Sequence, residues 1–297
     1  MSVKQPQSNV WPMQPNVWRY PTPRLSKPVP TSSRNNELLA SLAQYDPIYL
    51  EEMQGVALLN RVEVKYVLPR KLLPHLLNVL RTEYDVLEVG EQRLNRYRTL
   101  YFDTADFALY RRHHAGAADR FKVRSRTYVD SQSSFLEVKH KTNKKRVHKS
   151  RIQTPVMITA LAGDTAGFVA DACPYDAETM QPRLWNSYRR ITLVDKMRSE
   201  RVTLDVDLRF DWDNRSNVLP HVVVAEVKQE RFSHSSKFMD AMRQHHIRSV
   251  GFSKYCMGAS LLYPELKQNR FKNRHRLLAK LATYEIPSTR GGYGELY

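Results

Sequence analysis

Apolar and polar residues alternate with a period of two through much of the chain, the mark of strands with one buried face. The alternation runs over 60–67, 95–102, 119–128, 134–141, 146–153, 186–195, 200–210 and 221–228. Patterns near a period of 3.6 predict helices at about 70–81, 105–113, 234–246 and 253–263. A further helix start is expected at Asn36-Glu37-Leu38-Leu39, ending before Pro47. No repeat of solenoid length and no Gly-rich linker divides this body. About eight strands, with helices between and after them, predict an α+β domain on a large antiparallel sheet or barrel.

The polar positions of those strands are mostly charged. Glu63 and Lys65 share a face, opposite Val62, Val64 and Tyr66. Lys122, Arg124 and Arg126 share one, as do Glu137, Lys139 and Lys141, then Lys149 and Arg151, then Tyr188 and Arg190. Arg201, Thr203, Asp205 and Asp207 follow, and Glu226 with Lys228 ends the series. In one strand this is charge turned to water. Repeated across strands, with helices available to cover the apolar side, it also fits a barrel whose charged faces turn inward. Such a lumen is frustrated when empty, because buried like charges are costly unless paired. A polyanion with a divalent cation would satisfy both signs.

Composition agrees with that partner. The 297 residues carry 47 Lys and Arg against 30 Asp and Glu, a formal charge of +17. Residues 1–36 contribute Lys4, Arg19, Arg24, Lys27 and Arg34 with no acid, among seven prolines. Residues 266–280 add Lys267, Arg270, Lys272, Arg274, Arg276 and Lys280, again with no acid. The expected division is a Pro-rich basic arm over 1–43, a body over 44–263 and a basic tail over 264–297. Both arms read as solvated tails or as tethers to an anionic partner. Cys173 and Cys256 are the only cysteines, which excludes a disulfide framework and a Cys-only zinc site. The N-terminus lacks the apolar stretch of a signal peptide, and no run reaches the length of a membrane span. A soluble, cytoplasmic protein is expected.

The ordered set Arg61-x-Glu63-x-Lys65-Tyr66, Tyr101-Phe102-Asp103, Lys122-x-Arg124-x-Arg126-x-Tyr128, Leu136-Glu137-x-Lys139, Lys149-x-Arg151, Tyr188-x-Arg190, Arg201-x-Thr203-Leu204-Asp205, Glu226-Val227-Lys228 and Ser253-Lys254-Tyr255 resembles the VTC domain. That domain is the polyphosphate polymerase module of the triphosphate tunnel metalloenzyme, or CYTH-like, superfamily. The resemblance spans about residues 44–263. It implies an antiparallel tunnel barrel with helices packed outside, binding ATP, inorganic polyphosphate and Mn²⁺ or Mg²⁺. The implied activity is transfer of the terminal phosphoryl group of ATP to a growing polyphosphate chain. By matching motif, Lys65, Arg124, Arg126, Lys139, Lys149, Arg190, Arg201 and Lys254 would contact phosphate oxygens, with Lys228 beside them in the catalytic set. Glu226 would be the principal metal carboxylate. Glu63 and Glu137 would assist, as ligands through water or as partners that hold the lysines. Tyr101 and Tyr128 would order the lumen. Arg61 stands where the superfamily's hydrolases carry a first acid, which favours the polymerase branch. A hydrolase of inorganic triphosphate or RNA 5′-triphosphate, and a binding module without turnover, are the alternatives.

Other residues offer less. His113-His114 and His245-His246 are adjacent pairs, whose side chains diverge on a helix, and are expected at the surface. Cys256 is expected as a core thiol, and Asp205 and Asp207 as partners of Arg201 or of neighbouring lumen cations. No Walker A string and no RNP, KH or zinc-finger signature is present, so no specific nucleic-acid motif supports an RNA or DNA partner.

Overall fold

The computed structural model describes residues 33–53, 62–144, 146–233 and 235–285. The elements are α1 (Ser33–Ala43), β1 (Pro47–Ile48), β2 (Val62–Pro69), α2 (Leu73–Leu80), β3 (Tyr84–Leu87) and β4 (Asn95–Thr104). They continue with α3 (Ala108–His114), β5 (Arg120–Tyr128), β6 (Ser133–Lys141), β7 (Val147–Thr154), α4 (Asp164–Ala172) and β8 (Met180–Asp195). The last are β9 (Glu200–Trp212), β10 (Arg215–Leu219), β11 (Val222–Gln229), α5 (Lys237–Gln244), α6 (Lys254–Leu262) and α7 (Lys272–Ala282).

One mostly antiparallel sheet carries the fold, in the order β2-β11-β9-β8-β4-β5-β6-β7. The short strands sit beside that path: β10 pairs with β9, β3 with β8, and β1 runs parallel to β3. The path contains the eight expected strands. It is not closed: among the described residues, no backbone pairing joins β2 to β7. The sheet nevertheless curls far enough that Lys139 of β6 lies 3.8 Å from Glu63 of β2. The two ends of the path therefore face each other across a lumen, bridged by side chains rather than by a ladder.

Alternation decides the cores. Leu68, Leu204, Val223 and Val227 face outward and pack with Leu38 and Leu42 of α1, Leu76 of α2 and Phe238 of α5. In α2, Leu73, Leu76, Leu77 and Leu80 recur at helical spacing behind a proline in the first turn, so one stripe is buried. Leu100, Phe102, Val123, Leu136 and Val138 form a second outer core with Val169 of α4. Helices α6 and α7 differ from the expectation that helices lie outside. Their Tyr255, Met257, Leu278 and Leu281 pack with Val67, Val224, Leu184 and Tyr188, which alternate in phase with the inward Lys65, Glu226, Asn186 and Arg190. The two helices thus close one end of the lumen, where the inner face is apolar. Gly258 of α6 makes this possible, since a Cβ there would sit 2.4 Å from Phe210 and 2.8 Å from Leu184.

Both basic arms extend into the described region. Leu38 and Leu42 of α1 are buried, and Leu278 and Leu281 dock α7. Residues 1–32, 54–61 and 286–297 lie outside the described residues, and with them most of the N-terminal arm and Arg61. Among the described residues, no helix is long and apolar enough to cross a membrane.

Candidate functional site: a charged lumen

Three ion clusters line the inner face, each built across neighbouring strands. In the first, β11 places Glu226 opposite Lys65 of β2 and Thr203 of β9. Lys228 Nζ lies 2.7 Å from Glu226 Oε1, and Lys65 Nζ lies 3.1 Å from Oε2. Lys65 also contacts Glu63. Burial pushes the Lys65 and Lys228 ammonium groups down to about 8 despite the Glu226 charge. Against the upward push of burial, Lys228 and then Lys65 hold the Glu226 carboxyl well below the usual range. Arg201 stands beside Lys228 in the same row.

The second cluster joins β8, β9 and α6. Arg190 makes a fork on Asp205, Nε to Oδ1 at 2.6 Å and Nη2 to Oδ2 at 2.9 Å. Lys254 donates to the same carboxylate from the first turn of α6. That helix starts at Ser253, whose Oγ accepts from the Cys256 N–H. Its next residue, Tyr255, donates to Asp103, whose carboxylate also accepts the N–H groups of Leu109 and Tyr110. Asp205 is almost fully buried, and although burial opposes it, Arg190 and Lys254 hold the carboxyl at about 2.

The third cluster lies on the opposite wall. Arg124 Nε donates to Glu137 Oε2 at 2.6 Å, and Lys149 of β7 meets the same carboxylate. Glu137 is buried, yet Arg124, Arg126 and Lys149 overcome that burial and keep its carboxyl far below the usual range. Between the walls stands a group of tyrosines. Tyr97 and Tyr188 stack at 5.1 Å, Tyr97 meets Tyr128 edge-on at 5.0 Å, and the Arg190 guanidinium lies 4.9 Å from the Tyr97 ring. Arg126 donates to Thr99 Oγ1 at 3.2 Å and sits 5.8 Å from the same ring. Burial alone would raise the Tyr101 and Tyr128 phenols, but arginines at close range lower both, Arg124 foremost for Tyr101 and Arg126 for Tyr128.

The curled sheet therefore brings Lys65, Arg124, Arg126, Lys139, Lys149, Arg190, Arg201, Lys228 and Lys254 to one inner face with Glu63, Glu137 and Glu226. Glu63 contacts Lys65, and Glu137 pairs with Arg124 and Lys149. Asp205 pairs with lumen cations as expected. Asp207 does not: its φ of +54° and the register shift beside it turn its carboxylate to Arg70 and Arg189, away from the lumen. Of the histidine pairs expected at the surface, His246 is exposed and His245 half-buried, whereas His114 is buried and His113 partly so. Cys256 is a buried thiol, raised by burial. Tyr97 was not singled out by the sequence, although its alternation with Tyr101 is the signal that would have found it.

Among the described residues, the inward Tyr188 hydroxyl, Thr203 Oγ1 and Asn186 Oδ1 are buried without a hydrogen-bond partner. Among the described residues, no group of three His, Cys, Asp or Glu side chains converges to form a metal cage. What the donor set offers is Glu226, with Glu63 across Lys65. That suits a hard cation which takes one or two carboxylates and completes its shell with phosphate oxygens and water.

No curated protein matches the chain. Among solved structures, a candidate adenylate cyclase from Bacillus halodurans is 13% identical, with a TM-score of 0.45 over 72% of this chain and 97% of that one. A candidate adenylyl cyclase from Hippeastrum, described as having a dominant triphosphatase activity, is 16% identical, with a TM-score of 0.44 over 67% and 95%. A third, from Vibrio parahaemolyticus, is 14% identical, with a TM-score of 0.42 over 68% and 98%. The model of the VTC domain matches residues 60–263, from the strand that carries Glu63 and Lys65 to the end of the helix that carries Lys254, and this chain belongs to the VTC domain family.

Proposed function

We propose that the protein is an ATP-dependent polyphosphate polymerase, moving the terminal phosphoryl group of ATP onto the end of a growing inorganic polyphosphate chain. The observation that carries this reading is the excess of lysine and arginine over acid on one enclosed face, where two buried hydroxyls also lack partners. A long phosphate chain supplies what both need. Phosphoryl transfer passes through a loose transition state with charge on the equatorial oxygens, so catalysis is mostly positioning and electrostatic stabilisation. A terminal phosphate oxygen of the acceptor can attack in line, and no protein nucleophile is required.

The acids then have a definite task. Asp205 aims Arg190 and Lys254, and Glu137 does the same for Arg124 and Lys149. Arriving phosphate oxygens share those cations and add the forks that guanidinium favours. Lys65 and Lys228, with ammonium groups near 8, hold their protons more firmly once an anion lies beside them. Glu226, assisted by Glu63, would hold Mn²⁺ or Mg²⁺ delivered with the triphosphate, and the ion would neutralise charge on donor oxygens. Such a donor suits the cytoplasm.

The test is incubation with ATP and Mn²⁺, resolving polyphosphate, ADP and orthophosphate separately. Polyphosphate with matching ADP is expected. Orthophosphate without polymer would replace the proposal with a tunnel hydrolase, and tight polyphosphate binding without turnover with a binding module.

A further inference from the structure

Glu200, the first residue of β9, is a buried acid that the site described above does not use. Its side chain lies behind the sheet, and its hydrogen-bond partners are neutral. Tyr84 of β3 donates its hydroxyl to Oε1 at 2.5 Å, Ser236 donates to the same oxygen at 2.9 Å, and Gln229 Nε2 donates to Oε2 at 2.6 Å. All three partners are buried. Ser236 also caps α5 by accepting the Met239 N–H, and the Tyr84 hydroxyl oxygen accepts the Phe238 N–H at 3.3 Å. One carboxylate thus ties together β3, β9, β11 and the start of α5. Apolar side chains of similar volume often fill such a place equally well, and the best-attested use of a buried polar group is to fix register.

Glu200 and Gln229 oppose each other on β9 and β11. The outward pairs that follow are apolar, Val227 opposite Val202 and Ala225 opposite Leu204. The inward pairs place Lys228 opposite Arg201 and Glu226 opposite Thr203. A slip of one residue would turn Glu226 and Lys228 into the outer core, so alternation forbids it. A slip of two residues keeps every face, and alternation alone does not oppose it. Such a slip would set Glu226 opposite Arg201 or Asp205. Gln229 would then oppose Val202 in one direction and pass the start of β9 in the other. Either way the Gln229 amide and one Glu200 oxygen lose each other, and unpaired polar groups behind the sheet are costly.

We infer that Glu200 is a positioning residue, which through Gln229 fixes the register of β11 against β9 and so sets Glu226 opposite Thr203 and Lys228 opposite Arg201 in the lumen. The inference rests on the lumen being the phosphate site, and it assigns the aim of that site to a polar pair on the far side of the sheet.

Two combined variants and a control test it, by thermal melting and by calorimetric titration with tripolyphosphate well below each midpoint, where the protein is folded. Glu200→Leu with Gln229→Leu and Tyr84→Phe removes the acceptor together with two of its donors, which should leave melting close to wild type. With the register no longer held, tripolyphosphate should bind about tenfold more weakly or worse, the equivalent of one lost charge-assisted contact. Exchanging the pair, Glu200→Gln with Gln229→Glu, rebuilds an acid facing an amide and should restore affinity to within about twofold. Leu42→Ala loosens the same outer core without touching the pair, and should keep wild-type affinity. Wild-type affinity in the apolar variant would overturn the inference whatever its midpoint. An equal loss in Leu42→Ala, or an exchanged pair that stays weak, would overturn it too. Wild-type protein that fails to bind tripolyphosphate would overturn the proposed function, and the role of Glu200 with it.

Discussion

Replacing Asp205 by asparagine keeps the side-chain shape and removes the charge shared by Arg190 and Lys254. The carboxyl sits at about 2 against an ordinary 3.8, a depression that corresponds to about 2 kcal/mol. Removing one member of a buried ion pair typically costs about 3–5 kcal/mol, because the partner stays buried and uncompensated. The two figures bracket the loss at roughly 2–5 kcal/mol. At about 2–4 °C per kcal/mol for a domain of this size, the midpoint should fall by roughly 4–20 °C. A depressed carboxyl stabilises fully above its unfolded value and loses that contribution as pH falls through its folded value, so pH 7 reads the whole effect. Adding tripolyphosphate supplies the missing anion. The ligand-induced rise in melting temperature should therefore be larger in Asp205→Asn than in wild type, measured by scanning calorimetry without metal. An unchanged midpoint, or a smaller ligand-induced rise in the variant, would refute the view that phosphate oxygens engage the same two cations that Asp205 holds.

Polyphosphate affinity should fall as pH rises through about 8, where Lys65 and Lys228 lose their protons. Over the same range the ligand-free fold should gain stability, since the unfolded chain then binds more protons; calorimetry and melts from pH 7 to 10 would show both, and parallel trends would contradict the assignment. Glu226→Gln should lower metal-dependent turnover at least about a hundredfold while polyanion binding without metal is kept or strengthened, checked by ADP release and by titration. Leu42→Ala should cost about 2–5 kcal/mol in denaturant melts, because Leu42 is fully buried in the outer core, whereas deleting residues 1–32 should leave turnover intact.

Most of the sheet could be read from the chain, because alternation is a local property that most of the long strands keep over their length. The lumen was legible for the same reason: once the apolar faces need covering, the charged ones turn inward. Pairing was less accessible, since the Arg190–Asp205 fork depends on which strands become neighbours. Asp207 could not be assigned by counting. An aspartate at positive φ breaks the phase of β9, and the residue type does not announce it. The strand β3 is four residues long and lies beside the main path, so it has no periodic face to read. Helix α7 has few apolar positions among many cations, and only the docked Leu278 and Leu281 distinguish it from a solvated tail.

Gly258 gives α6 a second significance. It lies one turn along the helix from Lys254, about 6 Å at 1.5 Å per residue, and its bare backbone rests against Leu184 and Phe210. A single added methyl group would force Phe210, Leu184 or the helix itself to move, and movement of the helix would withdraw the lysine at its tip. The reach of a charged group toward phosphate is thus set by apolar contact at a residue that carries no chemistry of its own, and a defect there would pass in kinetic assays for damage to the reacting centre.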